Sequence, residues 1–208
     1  MGFNPFHAVN KEEVRRRAEK LRKKHSNLSE REICDLIIKN KSQMCGLSGF
    51  ITAFPATLPV IGTLVSLIGG TVVDIAAVSY FMAEMVLEMS VVYGRDLRLP
   101  GASREALWVI GSAVGTDVAN KAIGKTAMKQ MGNQAFVRAM QEMLLTLGIK
   151  ATQRSVIRII PFIGAVVCGL VNYFICRRVG RMAADYYEKN SYEQWTANAI
   201  DVDGEIID

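Results

Sequence analysis

The sequence predicts an all-α protein built as a single domain of about six to eight helices, and three observations carry that expectation. Apolar residues recur at helical spacing through most of the chain. No stretch alternates with period two for long enough to be a strand. The phrase Leu58-Pro59-Val60-Ile61-Gly62 also returns as Ile160-Pro161-Phe162-Ile163-Gly164, each time leading into a long apolar segment. Proline is tolerated in the first helical turn, where its missing N–H has no partner to lose, so each phrase reads as a helix start. The two proline-started helices are therefore expected to form a central pair.

The 208 residues carry a net charge of +5, and no Pro/Gly/Ser linker divides them. A mean hydropathy of +0.18 with 22% charged residues is apolar for a soluble protein and too polar for one that mostly lives in lipid. The charge is unevenly placed. Lys11 to Lys24 holds eight bases against three acids, and the stretch after Lys189 holds five acids and no base. Three segments follow: a basic N-terminal helical segment over 1–28, the all-α domain over 29–189 and an acidic tail over 190–208. No apolar signal core precedes the first charges, so export is not expected. A myristoylation reading of Met1-Gly2 fails at Phe6, where Ser or Thr is needed.

In chain order, Asn10 with Glu13 caps a helix to about Lys24, and Ser29 with Glu32 forms a capping box for the next. That second helix is expected to fade through Gly46 and Gly49 and to stop before Pro55. The helix from Pro59 runs through Asp74 to Tyr93, with Gly94 in the left-handed position that ends it. Pro100-Gly101 marks a loop, and Ser103 caps a helix reaching toward Val118 that contains Gly111-Ser112-Ala113-Val114-Gly115. This GxxxG permits close helix approach in a membrane or in a soluble bundle alike. Gly132-Asn133 breaks the chain before a helix over about 134–147 with Phe136, Met140, Met143 and Leu144 on one face. A short helix then leads to Arg158, and the second proline-started helix runs from Pro161 to about Lys189.

Few residues point to chemistry. Gly124-Lys125-Thr126 lacks the glycine and the preceding strand that a phosphate-binding loop needs. Cys34, Cys45, Cys168 and Cys176 have no CxxC spacing and sit in apolar sequence, as small core hydrophobes do. His7 and His25 lie outside the apolar body, and no Glu-x-x-His pair supports a di-metal site, so neither metal nor cofactor is expected. No catalytic constellation or nucleophile motif appears, which leaves a lipid hydrolase without support. At 100° per residue, Asp74, Glu84 and Glu88 fall within about 80° of one another on one helix. Two readings stand: a solvated stripe, or an Asp74 buried opposite Asn172 and holding a proton or a broken backbone.

The choice between core and bilayer decides most of the function. Ser42 to Val73 and Ile159 to Cys176 contain no charged residue. Val60 to Ala83 inserts with a free energy near zero once Asp74 is set against its aliphatic residues. Ile159 to Cys176, at eighteen residues, only just reaches the length of a span. Arg15, Arg16, Arg17, Lys20, Arg22, Lys23 and Lys24 suit anionic head groups, each contributing about 1 kcal/mol near the surface, or else form a solvated face. No reading module or interleaved aromatic residues accompany them, so nucleic acid is not expected. Tyr173, Tyr186, Tyr187, Tyr192 and Trp195 fit either a membrane interface or packing of the tail on the body.

Two motifs and their order resemble the EcsC family of bacterial proteins: Tyr93-Gly94-Arg95-Asp96 after a long apolar helix, and Pro161-Phe162-Ile163-Gly164-Ala165 followed by Asn172. The likeness covers roughly Gly46 to Tyr187. It implies a bacterial, helical, membrane-associated protein, and it brings no catalytic residue with it. The functional expectation is a non-enzymatic protein at the cytoplasmic face of the inner membrane, peripheral or partly inserted, binding lipid or a membrane partner. The alternative is a soluble interaction or inhibitor protein whose apolar helices are its core.

Overall fold

A computed structural model describes residues 4–53, 63–115, 135–136, 138–139, 142–143, 145–146 and 163–190. The proline phrases at Pro59 and Pro161, the Gly124-Lys125-Thr126 stretch, Gly132, Met140, Leu144, Tyr192 and Trp195 lie outside these residues. The helices begin where the side chains can cap them. Asn4 accepts from the backbone N–H groups of Phe6 and His7 to start α1 (Pro5–Ala8), a turn that sequence reading missed. Asn10 accepts from Glu13 N at 3.1 Å to start α2 (Lys11–Lys24). The Ser29–Glu32 box is reciprocal, with Glu32 N on Ser29 Oγ at 3.3 Å and Ser29 N on Glu32 Oε2 at 2.9 Å, and it opens α3 (Glu30–Ala53).

Helix α3 does not fade at Gly46 and Gly49 as expected. A glycine costs up to about 1 kcal/mol in a helix interior, and close approach of another helix offsets it here. A Cβ on Gly46 would stand 3.2 Å from Gly169 O, and one on Gly49 would collide with the Asn172 amide. Both neighbours belong to α6 (Ile163–Lys189).

Between them in sequence runs α4 (Thr63–Val92), which ends in a Schellman turn: Gly94 at φ 80° gives its N–H to Val91 O, and Arg95 N reaches Ser90 O at 2.9 Å. Helix α5 (Pro100–Val114) starts at Pro100, not at Ser103, because proline is pre-organised for the first turn and Ser103 is buried inside it. Gly115, at φ 74°, ends α5. The GxxxG thus closes a helix at its second glycine, which accounts for that residue without any helix partner.

Residue pairs give the topology. Gly46 meets Gly169, Ile38 meets Gly180 and Arg31 pairs with Asp185, so α3 and α6 are antiparallel. Lys41 with Glu84 and Thr52 with Asp74 make α3 and α4 antiparallel as well. The two proline-phrase helices, α4 and α6, pack against each other in parallel sense, but α3 is the more extensive neighbour of α6, so the expected pair is a trio. No strand occurs among the described residues, and the chain is all-α.

The core follows from α4. Met82, Met85, Val86, Leu87 and Met89 are buried in nearly every direction around it, as an all-round apolar helix requires. Asp74–Val92 is long and apolar enough to cross a membrane by composition, yet 67% of it is buried within the fold. Val14 and Ala18 of α2, Phe6 of α1, and Phe136 and Met143 join the same core, so the basic segment is continuous with the domain.

Candidate functional site

The antiparallel pairing of α3 with α6 brings the two uncharged runs of the sequence to the same end of the bundle. There Met44, Leu47, Phe50 and Ile51 of α3 and Val166, Leu170 and Phe174 of α6 are exposed, Leu47 and Phe174 at 59% each. On a 100° spacing, Leu47 and Phe50 flank the contact edge of α3 while Val166 and Leu170 flank that of α6, so they form one face. About one helical turn beyond Phe174 stand Arg177 and Arg178, and a turn further Arg181, with Lys39 opposite them on α3. Arg178, Arg181 and Lys39 are exposed; Arg177 is half-buried and donates to the Tyr173 hydroxyl at 3.1 Å. An apolar end is thus bordered by a band of cations.

Just inside that end lies the first acid of α4. Asp74 is buried, and its Oδ1 accepts from Asn172 Nδ2 at 2.8 Å and from Thr52 Oγ1 at 3.2 Å. Asp74 therefore joins α3, α4 and α6 through one carboxylate. Glu84 and Glu88 are buried too, which excludes the solvated-stripe reading.

Those two glutamates meet Arg17 of α2 and the buried Lys41 of α3. Glu84 Oε1 accepts from Arg17 and its Oε2 from Lys41, with the Tyr80 hydroxyl also on Oε1 at 3.4 Å. Glu88 Oε1 takes both Arg17 Nε at 2.9 Å and Lys41 Nζ at 3.2 Å. Burial is the largest influence on the Glu88 carboxyl and raises it above its usual range, against the pull of Lys41 and Arg17. The four charges form the floor of a cleft of about 740 Å³ between α2, α3 and α4, walled by Leu21, Leu36, Ile37, Met44, Tyr80 and Phe81.

The expected lipid-binding bases separate into two groups. Arg17 faces Glu84, Glu88 and Glu13, Arg15 pairs with Glu12 and Glu19, and Arg22 lies 3.7 Å from Glu30. Arg16, Lys20, Lys23 and Lys24 are exposed, and their spacing sets them along one face of α2. Lys41 escaped sequence reading, although its place as the last charge before the uncharged run was a usable signal.

At the opposite end of the bundle, Arg95 and Glu105 form a buried ion pair at 3.3 Å. The Arg95 guanidinium also donates to Tyr93 O at 3.1 Å and to Asn190 O, and it lies 4.8 Å from the centroid of the Tyr187 ring. Sequence reading passed over this knot. Its members are far apart along the chain, and only the junction after Tyr93-Gly94 hinted at it.

The four cysteines are buried. Among the described residues, no group of three or more His, Cys, Asp or Glu is placed to hold a metal ion. His7 is exposed, and His25 sits at the rim of the cleft.

Tyr93 stacks on Tyr187 at 6.2 Å between ring centroids, Gly94 is the left-handed cap, and Asp96 Oδ1 accepts from Arg98 N at 3.0 Å. Gly164 lies in the first turn of α6, and Ala165 is buried on its inner face. Comparison with curated proteins and with solved structures gives no match. The sequence profile of the EcsC protein family matches residues 56–189, spanning α4, α5 and α6. Since that match covers more than half of the chain, the protein belongs to the EcsC family.

Proposed function

We propose that this chain is a non-enzymatic, membrane-associated helical protein that docks peripherally at the cytoplasmic face of a bacterial membrane through the α3–α6 end. The observation that carries this reading is the exposed apolar face of Leu47, Phe50, Ile51, Val166, Leu170 and Phe174, bordered by Lys39, Arg178 and Arg181. A monomeric soluble protein rarely leaves a contiguous apolar face open to water. Interfacial helices bury their apolar side about 5–10 Å into the boundary between head groups and acyl chains, which places a cation one turn higher at phosphate level. The outward bases of α2 add longer-range attraction to anionic lipid.

Flotation with vesicles of phosphatidylcholine and phosphatidylglycerol tests this. The protein should float at low salt, and the double variant Leu47→Ser/Phe174→Ser should remain behind. A wild-type protein that stays unbound at low salt would overturn the reading.

A second reading, a soluble protein that presents this face to a protein partner, is favoured by the burial of most of Asp74–Val92. It predicts no flotation under any lipid composition.

A further inference from the structure

We propose that the cleft between α2, α3 and α4 is a binding site for a zwitterionic amphiphile, a molecule whose head carries both an ammonium and a phosphate and whose tail is apolar. The hydrogen-bond inventory of the floor supports this. Glu88 takes its hydrogen bond from Arg17 and its ion pair with Lys41 on Oε1, so its Oε2 has no partner among the described residues, although the side chain is only 8% exposed. Lys41 donates to Glu84 and forms an ion pair with Glu88, and an ammonium has three donors. One anionic acceptor and one cationic donor are therefore left side by side, both on residues that line the cleft.

The floor as a whole, with Arg17, Lys41, Glu84 and Glu88, carries no net charge. A simple anion would meet two carboxylates there, and a simple cation would meet an ammonium and a guanidinium. A head group bearing both signs can satisfy each. Its amine fits Glu88 Oε2, which lines the cleft. Its phosphate fits Lys41, with the exposed Lys39 at the rim. Leu36 and Met44, partly exposed at 37% and 41%, give an apolar path out of the cleft for a chain. The volume lies within the ordinary range for small-molecule sites.

The test contains no bilayer, so it is independent of the docking reading. Calorimetric titration of the full chain would use dihexanoyl phosphatidylethanolamine below its micelle concentration, with dihexanoyl phosphatidylglycerol and glycerophosphoethanolamine as comparisons. The zwitterionic lipid should bind at least about tenfold more tightly than the anionic one, and Glu88→Gln should weaken it about tenfold. Leu36→Asn, at an exposed position that the fold does not need, should weaken the lipid and leave the tail-free head group unchanged. Absence of binding, equal binding of both lipids, or unaltered affinity in folded Glu88→Gln would overturn the proposal. Binding of glycerophosphoethanolamine as tightly as the lipid would also overturn it, since the site would then recognise no tail.

Discussion

A Cβ on Gly169 would stand 2.8 Å from the carbonyl oxygen of Gly46, so α3 and α6 cross with no side chain between their backbones. That crossing sets the depth at which Asn172 reaches Asp74 and the alignment of the two uncharged runs. Gly169→Leu should destabilise the protein by 3 kcal/mol or more, beyond the roughly 1–3 kcal/mol of ordinary overpacking, because backbone stands in the way. Leu170→Ala, one residue on and exposed, should change stability by less than about 0.5 kcal/mol. Urea unfolding of both variants checks this, and equal midpoints would remove the crossing from the account.

At the other end, the Arg95–Glu105 pair has side chains exposed by only 2% and 0%. Arg95→Met leaves a buried carboxylate without its guanidinium and should cost roughly 3–5 kcal/mol. Replacing both, Arg95→Met with Glu105→Leu, should recover much of that loss. A double variant no more stable than Arg95→Met would show that contacts with Tyr93 O and Asn190 O matter more than the ion pair.

The helices were legible because capping chemistry is local. Asn10, Ser29 with Glu32, and Gly94 act within a few residues of themselves, and each does in the structure what its sequence neighbourhood predicts. Gly46 and Gly49 misled because a glycine read locally is a helix breaker, and the partner that compensates it lies more than a hundred residues away in α6. Arg17 misled for the same reason. It sits in a run of bases that looks solvated, and only the fold brings Glu84 and Glu88 to it. Lys41 and Arg95 each stand beside a local signal, the start of the uncharged run and the Tyr93-Gly94 junction, but the carboxylates that pair with them are set by the fold and not by their sequence neighbours.

The raised Glu88 carboxyl has a consequence for stability. Below the ordinary glutamate value of 4.5 the group is protonated in folded and unfolded chains alike. As the pH rises above that value the unfolded chain ionises first, so the folded state binds more protons and stability falls until the folded-state value is passed. Glu88→Gln should remove this component. Unfolding free energies measured from pH 4 to pH 8 should show a shallower decline in the variant, and parallel curves would contradict the assignment.

The outward bases of α2 should act at a distance. Charge reversal at Arg16 and Lys23 is expected to weaken binding to anionic vesicles at low salt. Raising the salt should weaken the wild type in the same way, since exposed charges are screened beyond about 8 Å at physiological ionic strength. Reversal at Arg17 should instead damage the fold, because it turns a cation facing Glu84 and Glu88 into an anion. Vesicle binding unchanged by both the Arg16/Lys23 reversal and salt would assign α2 to solvent or to a protein partner.

If the α3–α6 end meets the membrane, a probe placed there enters lipid, and the burial of Cys34, Cys45, Cys168 and Cys176 allows one exposed cysteine to be labelled selectively. An environment-sensitive fluorophore would be placed by Leu170→Cys at the apolar end and by Glu188→Cys at the opposite end of α6, and each protein mixed with anionic vesicles containing brominated lipid. A blue shift and bromine quenching are expected at position 170, with neither at position 188. An unchanged spectrum at 170 in the presence of bound vesicles, or equal quenching at both positions, would contradict docking through the α3–α6 end.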